Sequence, residues 1–331
     1  MESTRVEGPF LDELRNGQVF DGAPPVTLTD GGAAVHQSIV GDRLALALDE
    51  NLSRRVLGVP GFAHPALVWD VAIGQSTVAT RQVMANLFYR GLVFRRAPVI
   101  GDTLRTVTRV AGLRRNRPRT DRPPSGLAAL RVTSIDQRDR PILDFWRCAM
   151  LPIRNADRAD LPDDDMAAVG MAEIDGTAAD LVGGWDLAPL VSRPGSPRLA
   201  DLAPGMAFEI AAGDVVSSAP ELARSTLNIA AVHHDAVAAG GERLVYGGHT
   251  IGLALGQAAR ALPTLATVAG WRSCDHTGPV REGDTLRSTV EVEDLLRPLP
   301  HGAGLVRLRS TVYVVDDRRP VLDWRFIAVI A

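Results

Sequence analysis

With 331 residues, 46% hydrophobic and 23% charged, the chain has the balance of an ordinary globular protein and exceeds the usual reach of one hydrophobic core, so two domains are expected. Its net charge of −3 argues against the clustered positive field that nucleic-acid binding requires, and Cys148 and Cys274 form no CxxC pair, so neither a zinc site nor a disulfide framework is expected. All 36 basic residues are arginine, which excludes Schiff-base and P-loop lysine chemistry.

Residues 1–14 carry four acidic side chains and no apolar run, and no later stretch approaches the ~18 apolar residues of a membrane span. A cytoplasmic chain without membrane association is expected. Next comes ELRNGQVFD, with Leu14, Gly17 and Phe20, and then an apolar segment, 64–78, that holds AIGQ at 72–75 and has too few charges for an exposed helix. PVIGDTLR follows from Pro98, then the Val/Leu/Thr-rich run 127–135, which reads as a strand, and RPILDFW from Arg140. Residues 155–197 contain LPDDD with scattered Gly and Pro and little periodicity, the composition of a linker or covering loop.

The same order then recurs. DLAPGMAFE matches ELRNGQVFD through Leu202, Gly205 and Phe208; ALGQ at 254–257 matches AIGQ; PVREGDTLR from Pro279 and RPVLDWRF from Arg319 repeat the last two motifs. The offsets are 188, 182, 182 and 179 residues, so the chain is written twice with small loop insertions. Each copy has one buried helix (64–78; 247–262) followed by antiparallel strands such as 127–135 and 305–315, which predicts a curved sheet wrapped around a helix, an α+β arrangement. Gly252 and Gly256 inside the second helix point to close approach of helix and sheet. The expected division is an N-terminal domain over 1–155, a linker or covering segment over 156–198 and a C-terminal domain over 199–331.

Titratable residues concentrate in the second copy. Between Ser225 and His249 the chain places Asn228, His233, His234, Asp235, Tyr246 and His249, three of its seven histidines among them. The matching stretch of the first copy has Asp42 at the acid position but Ala47 where the histidine should stand. That half is therefore read as non-catalytic, with His64 in a capping or packing role.

The helix-and-sheet order, the paired GDTL turns and the pattern N-x4-H-x-D followed by RLVYGGH resemble the MaoC-like R-specific enoyl-CoA hydratases, in the double-hotdog branch that includes mesaconyl-CoA hydratases. The resemblance implies a double hotdog, an internal pseudo-dimer with a possible homodimer beyond it, no cofactor and no metal. It also implies hydration or dehydration of a 2-enoyl or 3-hydroxyacyl thioester of CoA or acyl-carrier protein. Carried onto this chain it makes His233 the proton-transfer group, Asn228 the residue that orients water in place of the family's Asp, and the Gly247 amide the donor to the thioester oxygen. Asp235, Tyr246 and His249 are supporting candidates, Asp235 as a partner of the His233 ring if the segment is extended. Arg95, Arg96, Arg114, Arg115 and Arg117 are candidates for the CoA phosphates. The alternatives are a non-catalytic acyl-CoA binder and a thioesterase, for which Asp70 is the one carboxylate on a central helix.

Overall fold

The repeated motifs are the joints that hold helix to sheet. The computed structural model describes residues 3, 6–118, 120, 122–155, 157, 161–172 and 174–331. In the first half, Gln75 donates to the Leu104 carbonyl at 3.0 Å and accepts from Thr106 at 2.6 Å; in the second, Gln257 donates to Leu286 at 2.9 Å and accepts from Ser288 at 2.6 Å. The glutamine of each AxGQ motif thus satisfies buried amide groups by pinning a central helix to the strand that follows the GDTL turn. Those turns close alike. Asp102 accepts from the Val99 amide and Asp284 from the Arg281 amide, both at 2.8 Å, while Gly101 (φ 96°) and Gly283 (φ 95°) occupy the left-handed region that glycine enters without strain.

The first half contributes β1 (Val19–Phe20), β2 (Val26–Thr27), β3 (Ala85–Phe94), β4 (Thr103–Arg115), β5 (Ser125–Ile135) and β6 (Pro141–Pro152). The second contributes β7 (Ala207–Glu209), β8 (Asp214–Val215), β9 (Leu265–His276), β10 (Thr285–Pro298), β11 (Gly304–Val314) and β12 (Pro320–Ile330). They form one sheet in the order β1-β4-β5-β6-β3-β9-β12-β11-β10-β7, with β2 on β4 and β8 on β10. Exchange of the halves leaves this order unchanged. The halves join through antiparallel pairing of β3 and β9, Tyr89 opposite Cys274 and Leu92 opposite Trp271.

The two central helices, Pro65–Ser76 and Gly247–Ala261, lie in the hollow of this sheet, giving the expected double hotdog. Every residue of the first is buried, as its largely apolar composition requires, and its polar members Asp70, Gln75 and Ser76 are hydrogen-bonded. Beneath the junction Trp69 stacks on Trp271 at 4.8 Å, and Trp271 lies 5.9 Å from Tyr89 and 5.6 Å from Trp324. Of the expected linker, residues 156, 158–160 and 173 lie outside the described residues. The remainder includes the short helices Asp175–Asp180 and Ala188–Val191; Ala178, Leu190 and Leu187, the residue before the second helix, join the main core, so this segment covers apolar surface.

The helix glycines serve a different contact from the one expected. A Cβ on Gly252 would come within 2.7 Å of Val40 Cγ1, and one on Gly256 within 3.1 Å of the Val40 and Gly41 carbonyls. What approaches is the end of a first-half helix, Asp30–Val40, with the Gly41 that follows it, not the sheet. The reciprocal contact occurs at Gly74, where a Cβ would fall 1.7 Å from the Thr226 carbonyl oxygen. Each central helix therefore braces the pre-helix loop of the opposite half. No helix among the described residues is long and apolar enough to cross a membrane.

Candidate functional site

The loop braced by Gly74 carries Asn228. A short helix, Ala219–Ser225, ends at Thr226; Leu227 then adopts φ 59°, a left-handed conformation that costs a non-glycine residue about 1–3 kcal/mol, and the chain turns so that the Asn228 amide reaches the Ala223 carbonyl at 2.9 Å. Asn228 is 2% exposed. Its Oδ1 accepts from the Ala230 amide at 3.0 Å, an assignment fixed by chemistry because a backbone N–H can only donate. Its Nδ2 hydrogens are thus the part of the side chain left to face a ligand. His234 donates from Nε2 to the Asn228 carbonyl at 2.6 Å, so it holds the loop.

Residues Ala231–His233 form a single 3-10 turn. This corrects the extended backbone on which the Asp235 pairing depended: Asp235 is exposed and accepts from the Val237 amide at 2.8 Å, closing its own turn. The His233 ring is held by a backbone carbonyl instead. Nδ1 donates to Leu244 O at 2.8 Å, which leaves Nε2 as the lone-pair nitrogen. Burial pushes the His233 pKa down to about 4 against the opposing pull of the Leu244 carbonyl, and the charges of His234 and Arg147 push it the same way. A neutral imidazole with a fixed tautomer is a base.

Asn228, His233, Tyr246 and Gly247 line one cavity of about 550 Å³ between the halves. Gly247 is the first residue of the second central helix, so its N–H has no partner within the helix and lies at the positive end of the helix dipole. Tyr246 packs edge-on to His233 with ring centroids 5.8 Å apart and donates to Asp70 Oδ1 at 3.0 Å. The first half, read as non-catalytic, supplies much of the wall: Ile73, Thr77, Asn86, Tyr89 and Arg147. Among the described residues no Asp or Glu lines this cavity, and no group of three or more His, Cys, Asp or Glu gathers as metal ligands. A second cavity, of about 580 Å³, shares Met84 and Arg122 with the first and is walled by Arg115 and Arg117.

Other candidates lie elsewhere. His249 is fully buried away from the cavity, with both ring nitrogens unpartnered among the described residues, and burial with the nearby His36 lowers its pKa to about 4. His64 caps the first central helix, accepting from the Ala66 amide at 3.2 Å, and its Nε2 lies 2.9 Å from Asp42; it plays the capping role expected of it. Asp70 is wholly buried between His36, 3.0 Å away, and Tyr246. Arg96 is committed to Asp102 and Asp136 at the first GDT turn, and Arg95 lies 3.4 Å from Asp144.

Sequence reasoning missed two cavity residues. His276, at the end of β9, has an Nε2 without a hydrogen-bond partner among the described residues, only 2.5 Å from where a Gly247 Cβ would stand, and burial lowers its pKa to about 4. Arg147, on β6, is the other. Alignment of the copies could have marked it, since RPILDFWR places Arg147 where RPVLDWRF has the buried Phe326.

Comparison with known proteins places this geometry among relatives. The chain is 28% identical over 313 residues to mesaconyl-CoA hydratase of Cereibacter sphaeroides, covering 91% of this chain and 88% of that protein. It is 27% identical over 331 residues to β-methylmalyl-CoA dehydratase of Chloroflexus aurantiacus, covering 96% and 91%. Among solved structures, a conserved Mycobacterium tuberculosis protein with a double hotdog fold superposes with a TM-score of 0.90 at 55% identity, covering 98% of this chain and 99% of the other. A MaoC-domain dehydratase structure from Chloroflexus aurantiacus superposes with a TM-score of 0.87 at 24% identity, covering 99% of both chains, which shows likeness of fold. No protein-family model matches the chain.

Proposed function

Because the chain belongs to the MaoC-like hydratase and dehydratase family, in its double-hotdog branch, we propose that it catalyses R-specific addition of water to a 2-enoyl-CoA and the reverse dehydration of a 3-hydroxyacyl-CoA. A CoA thioester as substrate follows the names of both curated relatives. The observation that carries the reading is the convergence of His233, Asn228 and Gly247 on one cavity.

In the hydration direction His233 Nε2 takes a proton from a water held by the Asn228 Nδ2 hydrogens, and the water oxygen bonds to C3. The π pair moves through C2 onto the thioester oxygen, where the Gly247 amide receives the charge, and the His233 imidazolium then returns the proton to C2. A preorganised donor of this kind contributes on the order of 100-fold in rate or more. Asn228 cannot itself carry a proton, so both proton transfers fall to His233. The second cavity, with Arg115, Arg117 and Arg122, is the place for the CoA phosphates.

A carboxylate-driven thioesterase finds no support at this site. The cavity wall has no Asp or Glu among the described residues, and Asp70 is engaged by His36 and Tyr246. The test is loss of enoyl absorbance with crotonyl-CoA, with chiral analysis of the 3-hydroxybutyryl product, for wild type and His233→Ala. Wild-type hydration giving the R product and lost in the variant supports the reading. Near-wild-type activity in the variant defeats it, and tight CoA-thioester binding without turnover selects the non-catalytic binder.

A further inference from the structure

The His276 ring brings a buried polar atom to the cavity with nothing in the chain to bond. Its Nε2 has no hydrogen-bond partner among the described residues, and the ring, edge-on to Tyr89 with centroids 5.7 Å apart, lines the same cavity as His233, Asn228 and Gly247. A buried polar group left unpaired costs stability, so it calls for a partner that the chain does not supply. Burial, with the charges of Arg147 and His233, lowers the His276 pKa to about 4, so at neutral pH the ring is uncharged and carries one N–H.

The fold does not demand a histidine here. His276 pairs with Leu322 across β9 and β12, and Phe94 pairs with Leu143 across β3 and β6; the two leucines are the same residue of the repeated RPxLD motif. Phe94 therefore holds the matching place in the first copy, where it is 1% exposed and part of the main core. An apolar ring satisfies the sheet at this point. In the half that faces the cavity the position holds a ring with polar atoms.

The place of Nε2 limits what it can bond. A Cβ on Gly247 would stand 2.5 Å from Nε2 and 2.6 Å from Cε1, so the glycine leaves room for the imidazole at the helix start. Standard bond lengths put that Cβ about 2.5 Å from the Gly247 nitrogen, so the Gly247 nitrogen and Nε2 lie at most about 5 Å apart. Two N–H donors on the two lone pairs of one carbonyl oxygen, each at about 2.9 Å, stand about 5 Å from each other, so one oxygen is within reach of both. Other polar groups at the cavity are committed within the chain: Tyr246 donates to Asp70, Asn86 to the Phe88 carbonyl and Arg147 to Ser76.

We propose that His276 is a second oxyanion donor: as the Nε2–H tautomer it bonds the thioester oxygen beside the Gly247 amide, and its proton stays on the ring throughout. The inference rests on the reading above that this cavity holds a CoA thioester against Gly247. Its test therefore pairs turnover with a spectrum that needs none. Hydration of crotonyl-CoA is measured for wild type and His276→Phe, which installs the residue of the first copy. The infrared stretch of the thioester carbonyl is measured for bound butyryl-CoA, a saturated and unreactive thioester carrying carbon-13 at that carbon.

The variant should lose about 100- to 1000-fold in kcat, the usual cost of removing one such donor. Its affinity for butyryl-CoA should change by less than about 10-fold, because the bond strengthens only as charge develops on the oxygen. The carbonyl stretch should fall on binding to wild type below its value in water and fall less in His276→Phe, while His276→Gln, which keeps an N–H donor, should recover part of both effects. A wild-type stretch at or above the value in water overturns the inference without recourse to any variant. A kcat within about 3-fold of wild type in His276→Phe also overturns it, and so does a kcat loss with an unchanged stretch, which would assign the ring a packing role. Failure of the wild-type protein to bind any CoA thioester overturns it together with the thioester reading, whereas a lowered stretch that depends on His276, without hydration of any enoyl-CoA, defeats the hydratase reading alone.

Discussion

Replacing Gly74 by alanine sets helix propensity against tertiary packing. Propensity alone favours the change by about 1 kcal/mol, because alanine is the best helix former and glycine among the worst. The structure gives the opposite sign. The new Cβ would stand 1.7 Å from the Thr226 carbonyl oxygen, 2.7 Å from its carbon and 3.0 Å from the Asn228 nitrogen, all of them backbone atoms. No rotamer change can relieve that overlap, so the loop or the helix must move by more than 1 Å. Thr226 is tied to Leu222 by both its amide and its hydroxyl, and Asn228 to Ala223, so movement breaks hydrogen bonds as well. Overpacking typically costs about 1–3 kcal/mol, which offsets the propensity gain of about 1 kcal/mol and leaves a net loss of roughly 1 kcal/mol, to which the broken hydrogen bonds add. A displacement of Asn228 by about 1 Å should lower hydration by on the order of 100-fold. Urea unfolding and the crotonyl-CoA assay measure the two effects. Gly31→Ala is the control, since that helical glycine has nothing within 4 Å of its Cβ position and the change there should be neutral or stabilising. A Gly74→Ala protein as stable and active as wild type would refute the argument that this glycine exists to seat the Asn228 loop.

His233→Gln should reduce kcat by roughly 100- to 10,000-fold, the range of general acid-base catalysis. Because burial lowers the His233 pKa to about 4, its base form persists well below neutrality. The acid limb of the wild-type kcat/KM profile should therefore fall near pH 4 and not near the ordinary histidine value of about 6.5; a limb near that value would contradict the assignment. Asn228→Ala removes the acceptor for the Ala230 amide, so it should destabilise the chain by about 1–3 kcal/mol and also lower activity, and chemical denaturation reads the first effect. His249 binds a proton more readily unfolded than folded, its folded pKa being about 4. Its contribution to stability is thus full above about pH 6.5 and falls as pH drops, by up to about 1.4 kcal/mol per unit, until pH 4. His249→Leu should flatten that part of the stability curve, and unfolding free energies at pH 7 and pH 5 compare the two proteins.

Much was legible in the sequence because its informative motifs act over short or repeated distances. The two AxGQ and GDTL pairs exposed the duplication, and each glutamine bonds to the strand after its own GDTL turn, so finding the motifs twice amounts to finding the double hotdog. The histidine-rich segment was visible for the same reason: Asn228, His233 and Tyr246 are close in sequence and need only one loop to share a cavity. Asp235 was misplaced because a 3-10 turn and an extended strand differ by a few backbone angles that its local sequence does not decide, and in the folded chain the Leu244 carbonyl takes the ring nitrogen assigned to Asp235. His249 looked like a neighbour of the site yet falls on the far side of the helix start, where backbone direction sends it into the core. Composition and spacing were silent on the rest because the partners lie in opposite halves. Gly74 meets Thr226, and Arg147 comes to line the same cavity as His233, only after β3 pairs with β9 and the helices lock against each other's loops. The sequence alone determined two copies of a hotdog and the segment that carries the chemistry. Tertiary packing decided which side chains line the cavity, Arg147 among them, since its wall is built from residues of both halves and belongs to neither copy alone.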